Sequence, residues 1–564
     1  MPSTYVRRLM AGLPLAVLLC GANVADAAPL SVTGVNALSP EGPATFTRTS
    51  STASTAPATS ADGSITAFVS NAEDLGADHP AGTAQIYFAD RRRGITRLVS
   101  RADGASGAPG AGSSSQPSIS ADGRYIAFVS ASNNLSDEDS DNSQDVYVRD
   151  IQSNTTRLVS KSKAGGAANG TSTQPAVSPD GRYVAYTSTA NNLSPLDGDG
   201  TQDVFVFDRA TGDSKLVSLG SDGLPALGNS QNPDISTLGQ VVTYESTASN
   251  LAAGDAVLLS EVFAFDATRG ATELVSVPYD GSVPAGGSYA PSISADGRVV
   301  AFESDANLTP GANALLRDVF ARDRSAKTTT LVSRAAGTSG AASDLASDQP
   351  AVSPDGDLVA FRSYGTNLST VDNDLYPDVF VRDITDGSLA LASRAVGGPA
   401  ANNASGEPDL SAAGAKVVFS SKATNLTSPA PGGGTNVFQT SLKAQFAVTA
   451  TEPPAINASL SRFDTDVKCN AMCLVFATGK ITVTDAQGGT STRNAAGYGA
   501  QMLSSNATKN LAVTLVPGTS SWLRKQLEAG KSATVEIKIQ ATSMSGGSAT
   551  TYSRGPVTLP AAAG

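Results

Sequence analysis

Residues 119–130, ISADGRYIAFVS, and residues 177–188, VSPDGRYVAYTS, decide how this chain folds, because the same pattern returns seven times. The other occurrences are 59–70 (TSADGSITAFVS), 235–246 (ISTLGQVVTYES), 293–304 (ISADGRVVAFES), 352–363 (VSPDGDLVAFRS) and 410–421 (LSAAGAKVVFSS). Their turn glycines, Gly63, Gly123, Gly181, Gly239, Gly297, Gly356 and Gly414, are spaced by 60, 58, 58, 58, 59 and 58 residues. A period that regular marks a repeat architecture in which each unit is one supersecondary block. Asp-Gly reverses the chain in two residues, since Gly takes positive φ cheaply and Asp caps its own turn.

Each unit carries more strands around that hairpin. A second apolar run follows, as in 145–150 (DVYVRD), 203–208 (DVFVFD) and 378–383 (DVFVRD), and then a third, as in 156–160 (TRLVS) and 329–333 (TTLVS). With the short strand before each turn this makes four antiparallel strands per unit, the composition of a propeller blade. The expected fold is therefore all-β: a seven-bladed β-propeller over residues 28–444, a linker at 445–454 with the stiff run Thr451-Glu452-Pro453-Pro454, and a small Ig-like β-sandwich over 455–564. Seven units that cannot bury their faces alone must close head to tail. The last unit has no LVS strand, so residues near Phe46 to Ser50 (within TFTRTS, 45–50) are expected to supply it.

The repeated S-[PA]-D-G-[RS]-x-[VI]-A-F-x-S, followed by D-V-F-V-R-D and L-V-S, resembles the TolB-like β-propellers, whose WD40-like repeats carry a Pro-Asp-Gly turn. The resemblance covers residues 45–444. It implies a propeller that serves as a periplasmic scaffold, a binding module or, with added domains, a peptidase or lyase. The longer unit and the lack of a recognisable N-terminal TolB domain depart from the best-known members, so a place in a Tol-Pal type complex is not implied.

The N-terminus reads as a secretory signal: Arg7-Arg8, an apolar run from Leu9 to Leu19, and the small-x-small site Ala25-Asp26-Ala27. Lipid anchoring at Cys20 and twin-arginine export through Arg7-Arg8 are the rival readings. The run is too short to span a bilayer, so an extracytoplasmic protein without a transmembrane segment is expected. Removing residues 1–27 takes the formal charge from −12 to −13, which disfavours nucleic acid and anionic lipid surfaces. Cys469 and Cys473 then remain, and a C-x3-C pair in an oxidising compartment reads as a disulfide.

One histidine, His79, serves the whole chain, which weighs against a nucleophile triad or a histidine metal centre. No G-x-S-x-G, Walker or dinucleotide motif is present. Carboxylates are the remaining route to catalysis, and most of them sit at repeated turn positions. A binding protein, expected to be a monomer, with a protein or glycan partner at the propeller face is the leading reading; a carbohydrate-active enzyme using propeller carboxylates is the alternative.

Two constellations stand out. Asp137, Asp139, Asp141 and Asp145 fall at positions 1, 3, 5 and 9, the spacing of oxygen ligands in calcium loops; Asp197, Asp199, Asp203 and Asp372, Asp374, Asp378 keep parts of it. The bland reading is a solvated acidic turn whose last Asp is structural. The residues before the strand prolines, Ala56, Gln116, Gln174, Asn232, Ala290, Gln349 and Glu407, form the second. Amides at a channel mouth suit a peptide or a sugar, or else a hydrogen-bond ring that joins the blades. In the C-terminal part, 521–529 (SWLRKQLEA) reads as one short helix and Trp522 as a core anchor.

Overall fold

In the computed structural model the described residues are 31–34, then 53–441 apart from 76–81, 164, 199, 253–258, 314–315, 373, 395–398, 413–415 and 428–433, and the backbone of most of 448–557. The expected signal segment, the residues near Phe46 to Ser50, His79 and the linker residues 451–454 lie outside them. The chain is all-β, with repeated four-stranded antiparallel sheets. Seven of these follow the sequence repeat; the second is typical, with strands Ser114–Ile119, Tyr125–Ser130, Asp145–Asp150 and Thr155–Leu158 paired in chain order.

Why each unit folds as it does can be read from its side chains. At the hairpin, Ser120 Oγ donates to Asp122 Oδ1 and accepts the Tyr125 N–H, so the turn is tied before the second strand begins. Gly181 shows why glycine follows: its φ is 71°, and a Cβ there would lie 2.3 Å from the Tyr125 ring of the preceding sheet. Positive φ and close approach together exclude a side chain. Across each sheet, one aromatic of the second strand stacks on one of the third, as in Phe128–Tyr147 and Phe361–Phe380, both at 5.8 Å between centroids. The serine that ends the second strand bonds the serine that opens the first, from Ser54–Ser70 at 3.0 Å to Ser405–Ser421 at 2.8 Å, in all seven sheets.

The core lies between sheets. One cluster runs from Val146 and Val148 of the second sheet to Tyr186 and Phe205 of the third. Another joins Phe68 and Tyr87 of the first to Val437 of the seventh. Hydrogen bonds repeat the arrangement. The N–H of each opening serine donates to the carbonyl just before the third strand of the preceding sheet, from Ser114 to Ala84 through Ser405 to Pro377, and Ser54 donates to Thr435 of the last sheet; all seven bonds measure 2.7–2.9 Å. Ala412 N–H also donates to Ala61 O at 2.7 Å. No single sheet curls closed on itself; the seventh meets the first.

The fastening strand is a correction to the expectation. Ser31–Gly34, not the residues near Phe46 to Ser50, pairs with Asn436–Ser441 as fourth strand of the seventh sheet. Connection length explains it: Ser114 follows Leu98 by 16 residues and Ser347 follows Leu331 by 16. Such a link must cross the width of a sheet, three strand spacings of about 4.8 Å plus a reversal. Four residues from Ser50 to Ser54 are too few.

Beyond Val448 lie two more sheets. One holds Val448–Ala450, Ala455–Ile456, Arg462–Cys469 and Thr508–Thr514, and the other holds Cys473–Thr484, Thr490–Leu503, Ser532–Ser543 and Ser548–Val557. Cys469 ends a strand of the first and Cys473 opens a strand of the second; their side chains are outside the described part. The helix runs Thr519–Glu528. Within it Leu523 is fully buried, whereas Trp522 is half-buried with the Arg493 guanidinium 4.8 Å over its ring. Trp522 is thus not the core anchor, because the helix turns the smaller Leu523 inward.

Two predictions follow from the closure. A chain lacking residues 28–34 removes a four-residue ladder and the cover of a sheet edge, and should melt several degrees lower than the chain starting at 28; equal melting curves would contradict the pairing. The second concerns pH. At the first-strand position where Ser118 and Ser292 accept the next sheet's N–H, Asp234 Oδ2 accepts Ile293 N–H and Asp409 Oδ2 accepts Thr59 N–H. Burial in the wall pushes both carboxyls up to about 6. A raised carboxyl pKa favours the folded acid form, so this stability is complete below about pH 4 and is lost as pH rises through about 6. D234S/D409S should therefore gain in melting temperature over the native chain on going from pH 4 to pH 7.5; a constant difference would refute it.

Candidate functional site

The four strands alternate in direction, so the connections from second to third strand and from fourth strand to the next first strand leave from one end of every sheet. These are the long loops, and the first strands also begin at that end. Asparagines tie the two loop types together. Asn134 Nδ2 donates to Pro109 O and its Oδ1 accepts Ala111 N–H, both at 2.9 Å. Asn250 does the same with Pro225 O and Leu227 N–H, and Asn367 with Ala342 O and Asp344 N–H. Sequence reading missed this device, although the Asn-Leu that follows the second strand in six of the seven units is its signal.

The residues before the strand prolines are all at this end. Each sits at a register shift between first and second strand, and all seven have positive φ, from 48° to 55°. The bulge turns the side chain sideways to the next sheet. Gln116 Oε1 accepts Gln174 N–H at 2.8 Å, Gln174 Oε1 accepts Asn232 N–H at 3.0 Å, and Gln349 Oε1 accepts Glu407 N–H at 2.8 Å. Gln174 Nε2 also bonds Asn232 Oδ1, and Glu407 Oε2 accepts Ala56 N–H at 2.7 Å. The structure thus engages Gln116, Gln174, Asn232, Gln349 and Glu407 in joining sheets.

Where Ala290 offers only its N–H, Glu245 Oε2 accepts it at 2.6 Å while Glu245 Oε1 accepts Gln231 Nε2 at 2.8 Å. Beside it stands a charged group that sequence reading did not find. Glu303 is 8% exposed, with Oε1 3.5 Å from Arg317 and no hydrogen-bond partner for Oε2. Burial pushes its carboxyl up to about 7; Arg317 and the Gln349 backbone N–H oppose this, and Asp348 and Glu245 reinforce it. Arg362 forks both Asp348 oxygens at 2.6–2.7 Å, and Arg317 forks Asp305 while stacking on Tyr289. The outcome is one carboxyl with a single open oxygen, Glu303 Oε2, among carboxylates already spoken for, rather than a facing pair.

Of the acidic loop in the second sheet, three members converge. Oxygens of Asp139, Asp141 and Asp145 lie within 4.8 Å of one another, whereas Asp137 is exposed and outside the group. Asp145 is also structural: Ser160 Oγ donates to its Oδ1 at 2.7 Å and accepts Val146 N–H at 2.9 Å. Asp203, Asp318 and Asp378 repeat that arrangement with the serines of the LVS strands. Burial, then the Asp139 and Asp141 charges, raise Asp145 to about 6. Asp372, Asp374 and Asp378 of the sixth sheet converge in the same way; Asp199 is outside the described residues.

Large exposed hydrophobics mark the same end. Among the described residues there are nine, and Leu196, Leu224, Leu227, Tyr279, Val283, Leu345, Leu375 and Tyr376 are all on long loops of the third to sixth sheets; only Leu238 sits on a hairpin turn. Among the described residues no helix is long and apolar enough to cross a membrane.

No protein-family profile matches the chain, and no curated protein matches it. Solved structures do. A putative TolB from Agrobacterium tumefaciens is similar at 16% identity and a TM-score of 0.32, over 50% of this chain and 80% of that one. The tricorn protease is similar at 10% identity and 0.23, over 88% of this chain and 48% of its own length. A mutant α-L-arabinofuranosidase from Fusarium graminearum, in complex with an iminosugar inhibitor, is similar at 12% identity and 0.29, over 57% and 90%. The repeated four-stranded sheets are consistent with the TolB-like propeller that the turn motif resembles.

The asparagine bridges generate a prediction. Asn367→Ala removes two hydrogen bonds between partly exposed loops and should cost about 1–2 kcal/mol, with faster amide exchange at Asp344. Unchanged exchange there would show that the bridge does not hold the loops.

Proposed function

We propose that this chain is an exported, non-catalytic binding protein: a seven-bladed TolB-like β-propeller over residues 28–444 that captures a protein partner on its long-loop face, with an Ig-like β-sandwich over 455–564 as spacer. The signal segment 1–27 and a Cys469–Cys473 disulfide belong to the same reading. The observation that carries it is the gathering of eight large exposed apolar side chains at one end of neighbouring sheets. Singly exposed apolar residues are ordinary, but a grouped set rimmed by polar loops marks an interaction surface. Six of the eight are aliphatic, which suits a protein better than a glycan, whose sites favour aromatic platforms.

Catalysis by a carboxylate pair is the weaker alternative. A glycosidase needs an acid and a second carboxylate free to act, and of the three carboxyls that meet beside Ala290, Glu245 and Asp348 are consumed by hydrogen bonds and only Glu303 keeps an open oxygen.

Capture from envelope extract, compared across variants, tests the proposal. A partner held by the native chain should be retained by L238D and lost with L227D/L375D, and a glycan array should stay blank. Equal loss with all variants, or glycan binding abolished by E303Q, would overturn it.

A further inference from the structure

The acidic loop of the sixth sheet differs from that of the second in one respect that matters. In the second sheet hydroxyls answer the buried carboxylates: Tyr147 Oη donates to Asp139, Ser143 Oγ to Asp145 Oδ2 at 3.1 Å, and Ser160 Oγ to Asp145 Oδ1 at 2.7 Å. Aligned on the repeat, Phe380 stands in the place of Tyr147 and Tyr376 in the place of Ser143. Ser393 still donates to Asp378 Oδ1. Asp378 Oδ2 and Asp372 Oδ1 are left buried without a hydrogen-bond partner, on residues 0% and 6% exposed. Asp374 adds a third carboxylate, which accepts Tyr376 N–H at 2.8 Å through Oδ1.

Oxygens of these three side chains lie within 4.8 Å of one another. Three carboxylates that close repel, and a buried carboxylate oxygen without a donor is costly, so the group as it stands is incomplete. Calcium takes oxygen ligands at about 2.3–2.6 Å, so oxygens on one calcium lie at most roughly 5 Å apart, and its flexible shell accepts carboxylates beside water. Magnesium, at about 2.0–2.1 Å and near-ideal octahedral, limits that separation to roughly 4 Å.

We propose that Asp372, Asp374 and Asp378 hold one calcium-class divalent cation between the second and third strands of the sixth sheet, a place that hydroxyls have taken over in the second sheet. The cation ties the loop carrying Leu375 and Tyr376 to the buried start of the strand Asp378–Asp383. The site stands whether or not that face binds a partner.

Calorimetric titration of the chelator-stripped full chain with calcium chloride, paired with melting curves, tests it. The expected result is one calcium per chain and a melting temperature several degrees higher at saturation. D374N should weaken binding by about tenfold or more, since it removes a charged ligand but keeps the Tyr376 N–H acceptor, and D141N should leave binding unchanged. F380Y, which supplies the hydroxyl found in the second sheet, should also weaken binding while melting no lower than the native chain without calcium. Absence of both heat and stabilisation in the native chain, native-like binding by D374N, or loss of binding in D141N would each overturn the assignment.

Discussion

Each sheet in this protein leaves one backbone N–H at the start of its first strand that only the preceding sheet can satisfy. Opening serines from Ser54 to Ser405 all donate to a neighbour's carbonyl, and the prolyl bulges then aim side chains across the same junction. An unpaired buried N–H is costly, so no unit is complete alone. Seven such demands and seven such acceptors are met together once the bond from Ser54 to Thr435 is made. The apolar clusters obey the same logic, for Val437 fills against Phe68 and Tyr87 as its counterparts do between successive sheets.

The same constraint accounts for the unusual backbone at the mouth. Seven non-glycine residues with positive φ would be odd as isolated strain, but each proline removes a donor that the bulge cannot use, and the side chains of Gln116, Gln174, Gln349 and Glu407 reach the next sheet from there. Substituted members show how tightly the position is held. At Ala290 a second-strand carboxylate does the joining instead, Glu245 accepting the Ala290 N–H, and Glu245 and Glu303 occupy the position held by Val69, Val129, Thr187, Arg362 and Ser420 in the other units. A functional feature can arise this way, where a structural rule is met by a charged residue with an oxygen to spare.

Repetition also supplies internal controls. One acidic loop pattern occurs in different settings, and its chemistry changes with a single ring: Tyr147 answers Asp139, while Phe380 offers Asp372 nothing. Aspartate spacing alone singles out the second unit, because it has the most carboxylates. Burial and hydroxyl supply single out the sixth.

Much of the architecture was legible in the sequence because it rests on local chemistry repeated seven times. Turn Asp-Gly pairs, alternating apolar strands and the LVS segments each act within a few residues, so the all-β class, four strands per unit and the short helix near Trp522 could be read directly. What depended on contacts between distant residues could not. The choice of Ser31–Gly34 as fastening strand follows from the span a connection must cross, the engagement of Gln116 and its counterparts from the direction a bulge imposes, and the setting of Glu303 from three neighbouring sheets meeting at one end. Sequence by itself determined the repeating unit, since that unit is made by near neighbours; only the tertiary structure decided which side chains are used up in holding the sheets together and which remain free to act, since burial and pairing are properties of the assembled whole.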